Sequence, residues 1–340
     1  MTRTNTLKRM VSDFPLDVVI NVKDAPYSAV GDGVTDDKAA IQAAIDAGNT
    51  GGIPVFLPKG NFLVSGALTY YSSSHIFGAG QAVSTILGNN LTVPIFKTTN
   101  QSTTRYYYSI FRDFGIDNQS ALNVGAIGID LRNVSLARID NLFFQDIEMA
   151  IQLHADAGLG AYYNVIQNTI HSTGTYFVYV SGGANENVIL SCRSNAVDFP
   201  ITISDSNGLK VHLCSFEVFT SGIRLSAVTE FCNVQGNRLE NLGGVGTGIL
   251  VEATAGWNWI GGQCFSGLAT NINNSSTTSV IIDPAQTPLM AIPSFTVAGV
   301  PSASAYPRSL IYVSNEAGGA TTAFSDGTNW RRVQDLAVVS

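Results

Sequence analysis

Apolar and polar positions alternate in short runs through the middle of the chain. One run has a small or apolar residue, then Ile or Val, a variable residue and an aliphatic one. It recurs as GIDL at Gly128, AIQL at Ala150, FVYV at Phe177, PITI at Pro200, GIRL at Gly222 and GILV at Gly248. The intervals are 22, 27, 23, 22 and 26 residues. A second run begins at Ile139, Val165, Val188, Val211, Val234 and Ile260, at intervals of 26, 23, 23, 23 and 26. Alternation with period two predicts strands, and no amphipathic helical pattern lies between residues 100 and 283. A unit of this size cannot bury its own apolar face, but a stack of such units can. The pattern therefore predicts an all-β fold, a right-handed parallel β-helix, with equivalent residues about 4.8 Å apart along its axis.

Columns follow from the period. Counted from the start of the second run, the fourth position reads Leu142, Asn168, Ser191, Cys214, Asn237 and Gln263, an incomplete ladder of hydrogen-bonding side chains. The sixth reads Phe144, Ile170, Arg193, Phe216, Leu239 and Phe265, a core column with Arg193 as its outlier. The seventh reads Gln145, His171, Ser194, Glu217, Glu240 and Ser266, and faces outward. The longer intervals predict loops near Ala155–Tyr163, Leu242–Thr247 and Ala253–Gly256.

The ends read differently. Asp36 or Asp37 is a suitable N-cap for an alanine-rich amphipathic helix to about Ala47, with Ile41 and Ile45 facing the solenoid. A helix there covers an otherwise open solenoid end. After Pro284, prolines 288, 293, 301 and 307 punctuate a connector. The segment from residue 308 then reads as three short strands. The expected organisation is a leader at 1–20 suited to virion attachment, a capped β-helix at 21–283, a connector at 284–307 and a small β module at 308–340. That module is too small to hold its own core, so a homotrimer is expected to supply the burial.

The run Gly31-Asp32-Gly33-Val34-Thr35-Asp36-Asp37, with AAIQAAIDAG, VFLPKGNF and IFGAG after it, resembles the start of the pectate-lyase-like β-helix family. Many bacteriophage tailspikes are in that family. The likeness covers about residues 18–90, and the repeats to residue 283 agree with it. Lys38 departs from the family's usual Thr at the helix start. Members include polysaccharide lyases, glycoside hydrolases and binding-only spikes, so the resemblance implies the fold more firmly than the reaction. The C-terminal segment resembles a small module of phage tail proteins. Together these imply a virion tail protein that acts on a bacterial surface polysaccharide and is joined to a tail or baseplate protein through its N-terminus.

Composition narrows the classes. The chain has 340 residues, 13% of them charged, and a net charge of −7. An acidic chain without a basic face does not suit nucleic acid. No apolar run is long enough for membrane insertion, and residues 1–20 lack the apolar stretch of a secretion signal. Cys192, Cys214, Cys232 and Cys264 show no metal-binding spacing and read as buried free thiols. The Asp-rich run lacks calcium-loop spacing, so neither metal nor cofactor is expected.

Chemistry on a solenoid sits on an outward face. Glu217 and Glu240 are one coil apart, which places their carboxyls about 5 Å from each other, close to the spacing of a retaining glycosidase. Arg238 is two residues from Glu240 and suits orienting a carboxylate. The plainer alternative is a solvated acidic pair with an arginine neighbour. His171 with Arg193 is the one base-and-charge pair that suits a lyase. Tyr179 and Arg224, on the other strand, suit sugar hydroxyls or an acidic glycan. Trp257 and Trp259 suit sugar stacking, as do the tyrosines at 106–108 and 162–163, although plain packing explains many such rings. His154 and His212 stand alone. Hydrolysis by Glu217 and Glu240, recognition without catalysis, and a lyase are the three functions this leaves.

Overall fold

A computed structural model describes residues 19–99, 101–119, 123–282, 293–317 and 319–339. The chain divides into two units, Met1–Ile282 and Asp283–Ser340. Nearly all of the leader at 1–20, and the connector to residue 292, lie outside the described residues.

The first unit is a parallel β-solenoid whose coils each lay one strand on each of three faces. Face one is a sheet of 11 strands, from Ile20–Asn21 to Val280–Ile282, in which each strand between these two ends is hydrogen-bonded to the coil before and after. Faces two and three share a sheet of 17 strands. Ile170–Ser181 and Arg193–Ser204 run unbroken from face two into face three. Stacked aliphatics fill the interior: Ile139, Ile166, Ile189, Val211, Val234 and Ile260 from face one, and Ile129, Ile151, Val178, Ile201, Ile223 and Ile249 from face three.

The face-three register is the one the sequence predicts. On face one the expected register slips by one residue at two coils. Ile139 pairs with Ile166, not Val165, and Ile166 pairs with Ile189, not Val188. Val-Ile occurs at both places, and period-two alternation does not decide which of two adjacent apolar residues points inward. A one-residue slip turns every dependent side chain to the opposite face.

The corner between faces one and two is turned by one residue with positive φ: Asp113, Asn141, Asn168, Ser191, Leu213, Gly236 and Gly262. Short polar residues and glycine tolerate that conformation best. The ladder follows directly after the corner. Cys214 N donates to Asn237 Oδ1 and Asn237 N to Gln263 Oε1, both at 2.9 Å. Asn168 and Ser191, expected in the ladder, are exposed corner residues, and Thr169 and Cys192 take their places. A second ladder precedes face one. Asn164 Oδ1 accepts from Ala137 N, and Asn187 Oδ1 accepts from Asn164 N, both at 2.8 Å. Cys192, Cys214 and Cys232 are buried free thiols, and burial pushes Cys232 up to about 12. Cys264 differs from expectation. It is exposed on face two, beside Arg238 in the register.

Helix α1 (Lys38–Gly51) caps the first coils with Ile41, Ala44, Ile45 and Gly48 buried. Its Gln42 closes an open strand edge, accepting from Thr69 N at 2.7 Å and donating to Thr69 O at 3.0 Å. Asp37 is the N-cap residue, but its side chain makes no cap bond. It accepts instead from Val30 N and Gly31 N, at 2.6 and 2.8 Å. The helix runs past Gly48 to a left-handed cap at Gly52.

The second unit is a four-stranded sheet of Ser294–Phe295, Leu310–Val313, Thr321–Ser325 and Trp330–Arg332. Its core is Ala303, Ile311, Val313, Ala323 and Trp330. The Trp330 indole donates to Pro301 O at 2.6 Å. Among the described residues no helix is long and apolar enough to cross a membrane.

Candidate functional site

Face two presents two outward columns. One is Phe143, Ile170, Arg193, Ser215, Arg238 and Cys264. The other is Gln145, Ser172, Asn195, Glu217, Glu240 and Ser266. Glu217 and Glu240 are direct register partners on consecutive coils, as the spacing predicts. Arg238 joins them. Its Nη1 meets Glu217 Oε1 at 2.5 Å and Ser215 Oγ at 3.3 Å, and its Nη2 meets Glu240 Oε2. Glu240 is the sheltered member, with its side chain 17% exposed against 43% for Glu217.

A shallow groove of about 350 Å³ runs up to Glu217, lined by Phe143, Ile170, Ser172, Arg193, Asn195 and Ser215 among others. A polar hollow of about 210 Å³ joins it at Ile170 and Arg193 and continues to Gln81, Asn141, Asn168 and Ser191. Ile170 and Arg193 thus line both concavities.

His171 is not on this outward surface. The register places it against Phe144 and Ser194 in the core column, with no exposed area. Its Nε2–H donates to Ile147 O at 3.2 Å, and Nδ1 has no partner. Burial holds the ring neutral and lowers its pKa to about 3. The same slip turns Arg193 outward, which explains why it looked out of place among core residues. His171 and Arg193 therefore face opposite sides of the sheet, and the proposed lyase pair does not form.

The remaining predicted residues lie on other faces. Tyr179, Thr202 and Arg224 share an outward column of face three. Tyr179 packs edge-on to Tyr176 at 5.3 Å, and Tyr176 stacks on Phe199 at 5.5 Å, a ring cluster the sequence analysis missed. The Arg224 guanidinium is committed to Glu252, with its Nε and Nη2 at 2.9 and 2.6 Å from Oε1. Trp257 sits at the corner between faces three and one, and Trp259 points outward on face one. Neither adjoins the carboxylate pair within a coil. A second titratable cluster also went unread: Arg132 holds Asp156 through two bonds, and His154 Nε2 lies 3.4 Å from Asp156. The guanidinium keeps Asp156 at about 2. Next to it, burial raises Asp130 despite a bond from Gln101. Each of these groups is matched within the fold. Among the described residues no group of three or more His, Cys, Asp or Glu side chains is placed to hold a metal ion.

The family model for rhamnogalacturonase A/epimerase, pectate lyase-like, matches residues 19–277. The chain belongs to that family. It is 51% identical over 74 residues to mannuronan C5-epimerase AlgE1 of Azotobacter vinelandii, a match covering 19% of this chain and 5% of the epimerase. It is 29% identical over 128 residues to the preneck appendage protein of Bacillus phage PZA, covering 36% of this chain and 14% of the appendage protein. The chain thus spans a small part of the curated relatives it matches. The solved structure of DFA-IIIase from Arthrobacter chlorophenolicus A6 with DFA-III superposes with a TM-score of 0.63 at 16% identity, over 74% of this chain and 68% of that one. At that identity the likeness is one of fold, and it agrees with the pectate-lyase-like solenoid.

Proposed function

We propose that this protein is a phage appendage or tail component that binds a bacterial surface polysaccharide along face two and hydrolyses it at Glu217 and Glu240. The observation that carries the reading is the carboxylate pair on consecutive coils, of which Glu217 lines the end of a groove. The preneck appendage relative supports the phage setting, and the mannuronan epimerase relative supports a glycan as the partner. Attachment to a tail protein through the N-terminus and a homotrimeric assembly belong to the same proposal.

In this mechanism an entering sugar displaces Arg238 from Glu217, which lines the groove; Glu217 takes up a proton from solvent and donates it to the glycosidic oxygen as that bond breaks. Glu240 attacks the anomeric carbon, and a spacing near 5 Å favours retention of configuration. Water then releases the sugar, with Glu217 taking the water's proton. Arg238 bonds both carboxylates in the free protein, so an entering sugar has to take over one of its contacts. That bridge also supports a second reading, recognition without cleavage, since it leaves neither carboxylate unmatched.

Incubation with glycans extracted from candidate hosts, read by reducing-end release and by absorbance at 235 nm, separates the readings. Hydrolysis gives new reducing ends without absorbance, and a lyase gives absorbance. Glu217→Gln and Glu240→Gln are each expected to lower the rate by roughly 10²–10⁴-fold. Full activity in both variants refutes the assigned pair.

A further inference from the structure

We propose that Arg193 is the specificity residue of the face-two groove, and that the glycan held there carries an anionic substituent bound by its guanidinium. The inference rests on the glycan reading above and adds the charge class of the ligand.

Three observations carry it. The first is placement. Arg193 is in register between Ile170 and Ser215, is exposed, and lines both the groove and the adjoining hollow. The second is availability. Arg112, Arg132, Arg224, Arg238, Arg331 and Arg332 each hold a carboxylate. Among the described residues Arg193 has neither an ion pair nor a side-chain hydrogen bond, a state it shares with the exposed Arg138 and Arg308, which do not line the groove. The nearest groove carboxylate, Glu217, is already bonded to Arg238. The third is the company it keeps. Ser172, Asn195 and Ser215 offer hydroxyl and amide groups to neighbouring sugar oxygens, and Phe143 and Ile170 offer an apolar patch to a ring face.

A planar guanidinium in a concavity matches carboxylate, sulfate or phosphate through paired N–H bonds, whereas a neutral hydroxyl satisfies only part of that fork. Arg193 lies one coil before Glu217, so the anion sits beside the reacting bond and not on it. Its role is selection, with no part in proton transfer.

The test measures binding separately from cleavage. The Glu217→Gln protein, in which Glu240 still holds Arg238 and Arg193 is intact, is titrated with oligogalacturonate, a sulfated heparin oligosaccharide and a phosphodiester-linked teichoic acid fragment. Neutral dextran and galactan serve as controls. At least one acidic probe is expected to bind, in a salt-sensitive way, and at least tenfold more tightly than the neutral ones. The responding probe names the anion. Adding Arg193→Gln should lower that affinity about tenfold, and Arg193→Lys should restore part of it, because charge returns without the fork. Circular dichroism confirms that the variants fold. Equal binding of acidic and neutral probes, binding of none of the acidic probes, or an Arg193→Gln protein that binds like its parent overturns the proposal. Acidic binding that depends on Arg193, in a protein that never cuts, overturns the hydrolase reading and leaves this one standing.

Discussion

At the residue scale, one side chain shows how a small error in register changes the chemistry. His171 reads from the sequence as an outward base, yet it is sealed between Phe144 and Phe177, 6.4 and 5.8 Å from their ring centres. Gly174 makes room for it, because a β-carbon there would come within 2.6 Å of the imidazole. The consequence is a pH effect on stability. In the unfolded chain the ring takes a proton near pH 6.5, but in the folded protein only near pH 3. The unfolded state therefore binds more protons in that window, and stability is lost as pH falls, at up to about 1.4 kcal/mol per unit. Between pH 7 and 4.5 the wild type should lose about 2.5 kcal/mol more than His171→Leu, measured by urea unfolding at both pH values. Equal losses contradict a buried neutral imidazole. Asp156 contributes in the same direction but lower, since its stabilisation is lost only as pH falls from the ordinary carboxylate range toward 2.

At the scale of elements, the period was legible and the register was legible only in part. On face three a glycine, alanine or proline stands directly before the inward residue in every run but the one at Phe177, so that register reads correctly from the sequence. Face one starts with Val-Ile on two coils, and both residues satisfy an apolar template. Only the three-dimensional pairing shows that Ile166 and Ile189 are the inward ones. The arginine in a presumed core column was the available sign that the count had slipped. Glu217 and Glu240 escaped the error because their coils, from Val211 onward, carry a single unambiguous start. The asparagine ladders make a testable claim about what holds coils together. The Asn187 amide accepts from Asn164 N and Nδ2 and donates to Ala161 O and Ala184 O, all fully buried. Asn187→Ala leaves those groups unpaired and should cost roughly 2–4 kcal/mol in urea denaturation. Asn195→Ala, at an exposed position on the same coil, should change stability by less than about 0.5 kcal/mol. Similar effects at the two positions contradict the ladder's role.

At the scale of the molecule, the three faces divide the candidate chemistry. The sequence offers Tyr179 and Arg224, on the other strand, and Trp257 and Trp259 as sugar contacts besides the carboxylate pair. The folded coil spreads them over face three, a corner and face one, and Arg224 is committed to Glu252. What remains concentrated is face two, where a groove, an uncommitted arginine and an arginine-bridged glutamate pair follow one another along consecutive coils. A chain of net charge −7 presents a local exception here, with Arg193 and Arg238 set against Glu217 and Glu240. The most direct measurement of the central claim is a crystal structure of Glu217→Gln grown with an oligosaccharide that the wild type cleaves. The account predicts sugar density along face two, passing Arg193 and placing a glycosidic oxygen within hydrogen-bond reach of residue 217 and an anomeric carbon near Glu240. Sugar bound on face three or at the Trp257 corner, with face two empty, contradicts it.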